Sequence, residues 1–592
     1  MPGRQGSMGV KEKPKDTKGT LLRIIRYLMR YKFVILGLVA CAFLSNLGTL
    51  MGPNFAGKAI DAIEVGTGQV DMPVVLRYAL LMLLFYVMSG LMSFLVQIGM
   101  MRVGRRVAQS MRGDIFNKLE RLPVSYFDKN LAGDIISRVS YDIDVLSMSL
   151  STDVVNIITS SVTVVGSFIM MCTISWKLVL CMLLTIPLSI LFVRFMGKKT
   201  RPLYKERSRA YGEMNGFAEE MFTGQKTILA YAHEDRVSEE FSEINRHAAE
   251  AYNAANGTAM AMGPTMGLIN NIGLSAIGLG GAIFYMQGAV TLGQISSFVL
   301  YSRKFSGPIN EISNIINELF SALAAAERIF QLLDEPEEPE DAPEAVELVK
   351  AQGSVEVEHV NFGYLPEVTV LHDMNLKAEP GQTVAIVGKT GAGKTTIINL
   401  LMRFYDIHSG EIRVDGRNQL DYTMKSLRRN YAMVLQDTWV FAGTIYDNIA
   451  YGKTGATMDE VVQAAKAAKI HNYIMQLPQG YQTVISEDGG NISKGQKQLL
   501  TIARAMLYDT NMLILDEATS NVDTGTERQV QKAMRNLMKG RTCFVIAHRL
   551  STIQNADNIL VVDHGDLVEQ GTHQELMARK GYYYKLYASQ FD

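Results

Sequence analysis

The chain has few cysteines and almost no net charge, and both absences narrow the classes of protein to which it can belong. Its 592 residues include only 4 cysteines, which show no metal-ligand spacing and do not suggest a disulfide scaffold. A formal net charge of −1 gives no reason to expect nucleic acid as a partner. The polar N-terminal segment has no apolar run before Phe33, so no cleavable signal peptide is predicted.

Charged residues are also absent from several long apolar runs. Residues 33–57, 78–101 and 154–176 contain none, and residues 251–302 form an uncharged run long enough for most of two spans. A shorter uncharged run covers residues 178–193. Because about 20 apolar residues in a helix cross the hydrocarbon core of a bilayer, the sequence predicts an all-α domain of six transmembrane helices.

Lysine and arginine are concentrated before the first span and directly after spans two and four, at residues 102–112 and 194–201. This distribution predicts that both chain termini are cytoplasmic. The two long inner loops, roughly 102–153 and 194–250, keep apolar residues at helical spacing. We therefore expect these loops to form helical extensions that reach into the cytoplasm.

An acidic, proline-rich run separates the apolar part of the chain from a part in which short β-rich runs alternate with helical patterns. Such a run is typical of a linker, and the alternation that follows predicts an α/β domain. The predicted organisation is a cytoplasmic N-terminal segment (1–32), a transmembrane domain (33–326), a linker (327–352) and an α/β domain (353–592).

The strongest motif lies in the stretch TVAIVGKTGAGKTTIINLL, which reads as a strand, a glycine-rich loop and a helix. It matches the phosphate-binding P-loop pattern, in which backbone N–H groups and a helix N-terminus hold phosphate oxygens. In this context a chance glycine turn is disfavoured. Lys394 is expected to bind the β- and γ-phosphates, and Thr395 to bind Mg²⁺. The predicted nucleotide-contacting residues of the loop are Gly388, Lys389, Thr390, Gly391, Ala392, Gly393, Lys394, Thr395 and Thr396.

A second motif, NMLILDEATSNVD, reads as a buried strand that ends in two carboxylates. Asp516 is placed to hold Mg²⁺ through water, and Glu517 to polarise an attacking water as a general base. An apolar strand ending in Asp-Glu is weak evidence alone. Downstream of a phosphate-binding loop it indicates an ATPase.

With these motifs in this order, the chain resembles the ATP-binding cassette (ABC) superfamily over its whole length. Its membrane half resembles that of a six-helix ABC exporter half-transporter. The resemblance implies that Tyr364 stacks on adenine and that Gln436 contacts Mg²⁺. It also implies that Asp523 belongs to the loop crossing the dimer interface and that His548 contacts the γ-phosphate. A lone Tyr, Gln or His is usually structural, but the order and spacing of all these features favour the functional interpretation.

The resemblance also identifies ISKGQ, beginning at Ile492, as the signature motif, in which Ser493, Gly495 and Gln496 are kept. In the family each nucleotide lies between the P-loop of one cassette and the signature of the other. Lys494 replaces the usual glycine. Such a variant signature beside an intact Glu517 resembles one chain of a bacterial heterodimeric multidrug exporter, so a heterodimer is favoured over a homodimer.

The implied mechanism is alternating access, in which ATP joins two cassettes and hydrolysis releases them. Short helices at the tips of the inner loops, near Pro123–Asp128 and Gly216–Gly224, would transmit this closure to the membrane helices. The implied location is the bacterial cell membrane, and the implied cofactors are ATP and Mg²⁺.

The predicted function is ATP-driven efflux of amphipathic drugs or lipids. Arg303 and Lys304 in the sixth span could attract a charged amphiphile, although pairing between helices would explain them equally well. The alternatives are a lipid flippase, a peptide exporter, an importer of the same fold, or a non-transporting regulatory ATPase. The intact Glu517 argues against the last, because a nucleotide sensor needs no general base.

Overall fold

The structure is a computed structural model that describes residues 16–63, 70–183, 185–365, 367–436, 438–486, 489–516, 524–547 and 553–591. Its contacts divide the chain into two compact units. The first runs to Leu122 and resumes over Asn130–Glu337, whereas the second combines Pro123–Lys129 with everything from Glu338 onward. The division after Glu337 falls inside the range predicted as a linker, and the last helix of the first unit continues to Asp334.

The first unit is helical throughout the residues described, apart from its turns. The helices up to Glu337, of which only α4 belongs to the second unit, are α1 (Thr17–Met29), α2 (Lys32–Asp61), α3 (Met72–Leu119), α4 (Val124–Lys129), α5 (Ala132–Ser137), α6 (Ile143–Met148), α7 (Val154–Ile174), α8 (Trp176–Leu183), α9 (Thr185–Thr223), α10 (Gln225–Ala230), α11 (Glu234–Met260), α12 (Met262–Met286) and α13 (Leu292–Asp334). Two π-helical turns, Arg138–Asp142 and Ser149–Asp153, adjoin α6.

Four helical stretches in the described part of the chain are long and apolar enough to cross a membrane: Lys32–Asp61, Met72–Leu119, Ala132–Ile174 and Glu234–Met286. They contain the first, second and fifth predicted spans, and the third except for its last two residues. The fourth predicted span is divided between α8 and α9, and the sixth lies in α13. The structure thus has the expected helical transmembrane domain, with α3 and α9 continuing beyond the apolar runs as the loop patterns predicted.

Backbone carbonyls of α2 hold α13 beside it, because they accept hydrogen bonds from hydroxyl groups of α13. The Tyr301 hydroxyl donates to the Leu50 carbonyl at 2.6 Å, and the Ser297 hydroxyl donates to the Pro53 carbonyl at 2.7 Å. Asp61, at the end of α2, accepts from the Gly293 backbone N–H at 2.7 Å. These bonds fix where α13 begins relative to α2.

The predicted short helices at the loop tips have different outcomes. The first loop contains α4, within one residue of the predicted Pro123–Asp128. The second prediction is wrong in position, because residues 216–223 belong to α9 and the short helix is Gln225–Ala230. A single glycine costs a helix only about 1 kcal/mol, and α9 packs along α11, so Gly216 does not end it.

The second unit is an α/β domain. Its strands are β1 (Val355–Phe362), β2 (Leu371–Ala378), β3 (Thr383–Val387), β4 (Ser409–Val414), β5 (Arg417–Asn418), β6 (Tyr431–Val434), β7 (Gly443–Thr444), β8 (Val484–Ile485), β9 (Met512–Asp516), β10 (Thr542–Ile546), β11 (Asn558–Asp563) and β12 (Asp566–Gly571). Its helices after α4 are α14 (Lys394–Leu401), α15 (Met424–Arg429), α16 (Ile445–Ala450), α17 (Met458–Ala467), α18 (His471–Gln476), α19 (Lys494–Tyr508), α20 (Thr524–Met538), α21 (His573–Arg579) and α22 (Tyr582–Phe591).

The strands form a six-stranded sheet in the order β12-β11-β3-β10-β9-β6 and a four-stranded antiparallel sheet in the order β2-β1-β4-β5. A small ribbon joins β7 and β8. In the large sheet only β12 is antiparallel to its neighbour. Its central strands are buried on both faces, as is usual for parallel sheets, which explains their continuous apolar runs.

Alternate residues of the central strands enter two separate hydrophobic cores. Ala385, Leu513 and Val545 pack with the helices α16 to α20. Their neighbours Val384 and Ile514 pack on the other face, with α14 and the four-stranded sheet. The two-residue period of a strand produces this division, and it places the P-loop helix and the signature helix in different cores.

Candidate nucleotide-binding site

The P-loop connects β3 at the centre of the large sheet to the first turn of α14. Gly391 and Gly393 have φ angles of +83° and +105°, in the region that favours glycine. A Cβ added at Gly388 would lie 2.2 Å from the Val562 carbonyl oxygen. The loop therefore needs glycine for both its conformation and its close packing. It leaves backbone N–H groups and a helix N-terminus available for phosphate.

Lys394, the first residue of α14, is 8% exposed and folds back over the loop. Its ammonium donates to the carbonyls of Gly388 at 2.8 Å and Lys389 at 2.9 Å. Burial lowers the pKa of the Lys394 ammonium, and the charge of Asp516 acts in the opposite direction. A partly desolvated cation at a helix N-terminus is suited to a polyphosphate. The negative charge of the polyphosphate would stabilise the charged ammonium, which burial disfavours.

The predicted adenine-stacking tyrosine lies beside the same helix. The Tyr364 hydroxyl is 3.1 Å from the Thr396 hydroxyl and accepts from the Asn399 amide at 3.3 Å. Its ring is 39% exposed and is therefore accessible to a base. Thr395, one residue before Thr396, is exposed in the first turn of α14, and its role in binding Mg²⁺ stays a prediction.

Asp516 and Gln436 lie at the carboxyl end of the same sheet. Asp516 ends β9 and is in register with Ile546 of β10, which in turn pairs with β3. Gln436 follows β6, the other neighbour of β9, and is exposed. Parallel strands present their carboxyl ends at one edge, so the fold brings Lys394, Asp516 and Gln436 to that edge, and the roles of Asp516 and Gln436 in binding Mg²⁺ stay predictions. The predicted roles of Glu517, Asp523 and His548 fall on residues outside those described.

The signature motif forms a capping box at the start of α19. The Gln496 backbone N–H donates to the Ser493 hydroxyl at 3.3 Å, and the Ser493 N–H donates to the Gln496 side chain at 2.8 Å. Gly495 is buried, whereas Lys494 is exposed and has no positive φ angle. The lysine therefore costs no backbone strain, and the helix N-terminus is formed despite it.

Sequence reasoning missed an arginine that joins the signature helix to the segment after Gln436. Arg504 in α19 donates to the Asn448 carbonyl at 2.9 Å and the Trp439 carbonyl at 3.2 Å. Its guanidinium lies 5.4 Å from the centre of the Phe441 ring. These partners are far from Arg504 in sequence and form no local motif, so only the fold could reveal the contact.

A glycine-rich loop after a central strand, a buried lysine and a carboxylate at the end of another strand of the same sheet define a P-loop ATPase. Here the ATPase domain shares one chain with a helical transmembrane domain. Comparison with known proteins gives the family. A model described as the ABC transporter transmembrane region matches residues 34–309, and a model described as ABC transporter matches residues 371–520.

Two curated relatives and one solved structure resemble nearly the whole chain. A fatty acid ABC transporter ATP-binding/permease protein of Mycobacterium bovis is 45% identical over 540 residues, which cover 90% of this chain and 85% of the relative. An ATP-dependent lipid A-core flippase of Syntrophus aciditrophicus is 34% identical over 554 residues, covering 94% and 91%. The structure of a bacterial Atm1-family ABC exporter with ATP bound has a TM-score of 0.76 at 30% identity, covering 95% of this chain and 99% of that one.

The chain belongs to the ABC transporter family. One transmembrane domain and one cassette give it the architecture of an exporter half-transporter, which works as a dimer. Its cassette binds ATP and couples ATP hydrolysis to transport, and the protein lies in a membrane. These findings confirm the predicted fold, family and coupled ATPase activity.

Proposed function

We propose that this chain uses ATP to export amphipathic lipids or lipid-like acids, and that it does so by alternating access. Support comes from relatives named as a fatty acid transporter and a lipid A-core flippase, and from the fold shared with an Atm1-family exporter. The sequence alone predicted drugs or lipids as substrates. We propose, more narrowly, lipids with an acidic head group.

The cassette would work as one half of a nucleotide sandwich. Lys394 and the loop amides would hold the β- and γ-phosphates, Thr395 and Asp516 would hold Mg²⁺, and Glu517 would polarise the attacking water. α14 and α19 pack in different cores, and the signature of one chain would serve the nucleotide held by the other. Binding then joins the two cassettes, and hydrolysis separates them.

Two cations in α13 support an acidic substrate. Arg303 is exposed and Lys304 half-buried, on the helix face that also exposes Leu300 and Gly307. At 1.5 Å per residue they lie about 16 Å beyond the start of α13, near the middle of a hydrocarbon core about 30 Å thick. Within the described residues no carboxylate forms an ion pair with either cation. Cations at such a depth face a cavity rather than lipid tails, and an acidic head group would neutralise them.

We propose a heterodimer as the working assembly, with a partner that supplies an ordinary signature to the nucleotide held by this chain. Lys494 would weaken the site that this chain's signature completes. A homodimer is the second candidate, favoured by the intact capping box and the ordinary backbone at Lys494. In either assembly, both termini would lie on the cytoplasmic face of a bacterial inner membrane, and the distribution of Lys and Arg in the loops supports this orientation.

Proteoliposomes test these proposals. They contain either the purified chain alone or the chain co-expressed with the product of its neighbouring gene. A fatty acid should stimulate ATP hydrolysis several-fold more than the alcohol of the same length. The double variant Arg303→Gln/Lys304→Gln should lose this difference, whereas Lys199→Gln, which removes an exposed cation of α9, should keep it. Glu517→Gln should abolish turnover. Equal stimulation by the acid and the alcohol would refute the acidic substrate, and high activity of the chain alone would refute the heterodimer.

A further inference from the structure

Three aromatic rings, one of them that of the proposed adenine-stacking tyrosine, form a cluster at the end of β1. Phe362, Tyr364 and Tyr405 meet edge to face, with ring centres 5.0, 5.1 and 5.7 Å apart. Phe362 is 2% exposed and anchors the cluster in the core. Edge-to-face pairs at this spacing are stabilising and orientation-dependent, so the Tyr364 ring cannot turn without displacing Tyr405.

Tyr405 has a second contact, to the helix at the tip of the first inner loop. Its hydroxyl donates to an oxygen of the Asp128 carboxylate at 2.5 Å. Asp128 lies in α4, which groups with the cassette although the chain on either side of it belongs to the transmembrane domain. Burial is the main cause that raises the pKa of the Tyr405 hydroxyl, and the hydrogen bond to Asp128 raises it further. It therefore remains a donor at neutral pH, in a charge-assisted bond.

The other end of this chain of contacts is the P-loop helix. Tyr364 contacts Thr396 and Asn399 of α14 through its hydroxyl. A continuous set of packed and hydrogen-bonded side chains therefore leads from α14 through Tyr364 and Tyr405 to Asp128. The ring of Tyr405 supports Tyr364, whereas its hydroxyl holds α4, so the two functions of one side chain can be separated by mutation.

We propose that Tyr405 is a positioning residue that couples adenine binding at Tyr364 to the docking of α4. Stacking of the base fixes the Tyr364 ring, the fixed ring holds Tyr405, and the Tyr405 hydroxyl then holds Asp128. Occupancy of the nucleotide site thereby changes the stability of α4 on the cassette. The inference rests on the proposed ATP-driven transport cycle and adds the side chains through which the first inner loop senses nucleotide.

Hydrogen exchange in the full-length protein in nanodiscs tests this coupling. In the non-hydrolysing Glu517→Gln background, ATP should slow exchange of the peptide that contains α4 at least fivefold. Tyr405→Phe and Asp128→Ala should each remove a large part of that protection while the Kd for ATP changes less than twofold. Asp128→Asn should retain most of it, because an amide oxygen still accepts from the tyrosine hydroxyl. Tyr422→Phe is the matched control, since that hydroxyl donates to the Val414 carbonyl, away from α4.

The combined variant separates coupling from independent damage. If both groups act through one bond, Tyr405→Phe/Asp128→Ala should lose no more protection than either single variant. Full protection in Tyr405→Phe, or an additive loss in the double variant, would overturn the inference. These measurements need ATP but no transported compound. Failure of fatty acid stimulation in liposomes would therefore refute the proposed substrate while leaving the coupling result intact.

Discussion

The ion pair between Asp142 and Arg328 predicts unequal effects of removing its two partners. The Arg328 guanidinium donates to both carboxylate oxygens, at 2.9 Å from Nε and 2.5 Å from Nη2. Asp142 lies in a π-helical turn of the first inner loop, and Arg328 lies near the end of α13. The Asp142 side chain is only 4% exposed, whereas that of Arg328 is 39% exposed.

This difference in burial sets the expected magnitudes. Arg328→Ala leaves an unpaired carboxylate in a dry environment, a change that costs about 3 kcal/mol. Asp142→Ala leaves a guanidinium that water can reach and that has a further interaction in the structure. Its cost should be about 1 kcal/mol, that of a lost hydrogen-bonded partner. The double alanine variant should resemble Asp142→Ala, because the buried charge is gone.

Thermal unfolding of the purified protein in nanodiscs measures this order. Arg328→Ala should unfold at the lowest temperature, and Asp142→Ala and the double variant at similar, higher temperatures. Arg246→Ala is the control for loss of an arginine, because its ion pairs with Glu243 and Glu250 are exposed to solvent and should contribute little to stability. If Asp142→Ala destabilises the protein as much as Arg328→Ala, the burial argument fails.

Three further predictions concern the cassette. Gly388→Ala should reduce the affinity for a fluorescent ATP analogue at least tenfold, because the added Cβ would meet the Val562 carbonyl at 2.2 Å. Ser493→Ala should lower the stability of α19 by about 1 kcal/mol through loss of its cap, seen as a lower unfolding temperature. The hydrogen bond from Lys453 is the main cause that lowers the pKa of Glu460 to about 2. The resulting stability is present above the usual pKa of a glutamate and is lost as the pH falls toward 2, so Glu460→Gln should flatten the acid limb of stability against pH.

Each of these expectations has a control and a contrary result. Gly216→Ala, where an added Cβ meets nothing within 4 Å, should leave nucleotide affinity unchanged, and equal losses at both glycines would contradict the steric argument. Lys494→Ala should leave the unfolding temperature nearly unchanged, and an effect as large as that of Ser493→Ala would contradict the capping argument. An unchanged acid limb in Glu460→Gln would show that this carboxylate does not contribute to acid stability.

Those parts of the site that lie in one continuous stretch could be predicted from the sequence. The P-loop is such a stretch, and the strand that carries Asp516 is apolar because both of its faces are buried. Contacts between distant residues left no local pattern: Asp142 and Arg328 are 186 residues apart, and Tyr405 is 277 residues from Asp128. The second loop helix was misplaced for a related reason, since packing of α9 against α11 decides where α9 ends.

Lys494 illustrates how the structure changes the meaning of a sequence departure. The family's glycine could have been needed for its backbone conformation, for its lack of a side chain, or for both. The ordinary φ angle and the complete capping box exclude the first reason. The consequence of the lysine must therefore come from its side chain. Its bulk hinders the close approach that glycine permits, whereas its ammonium is unfavourable at a bare helix N-terminus and favourable beside an anion. The question of assembly thus depends on whether that cation meets a triphosphate held by another cassette.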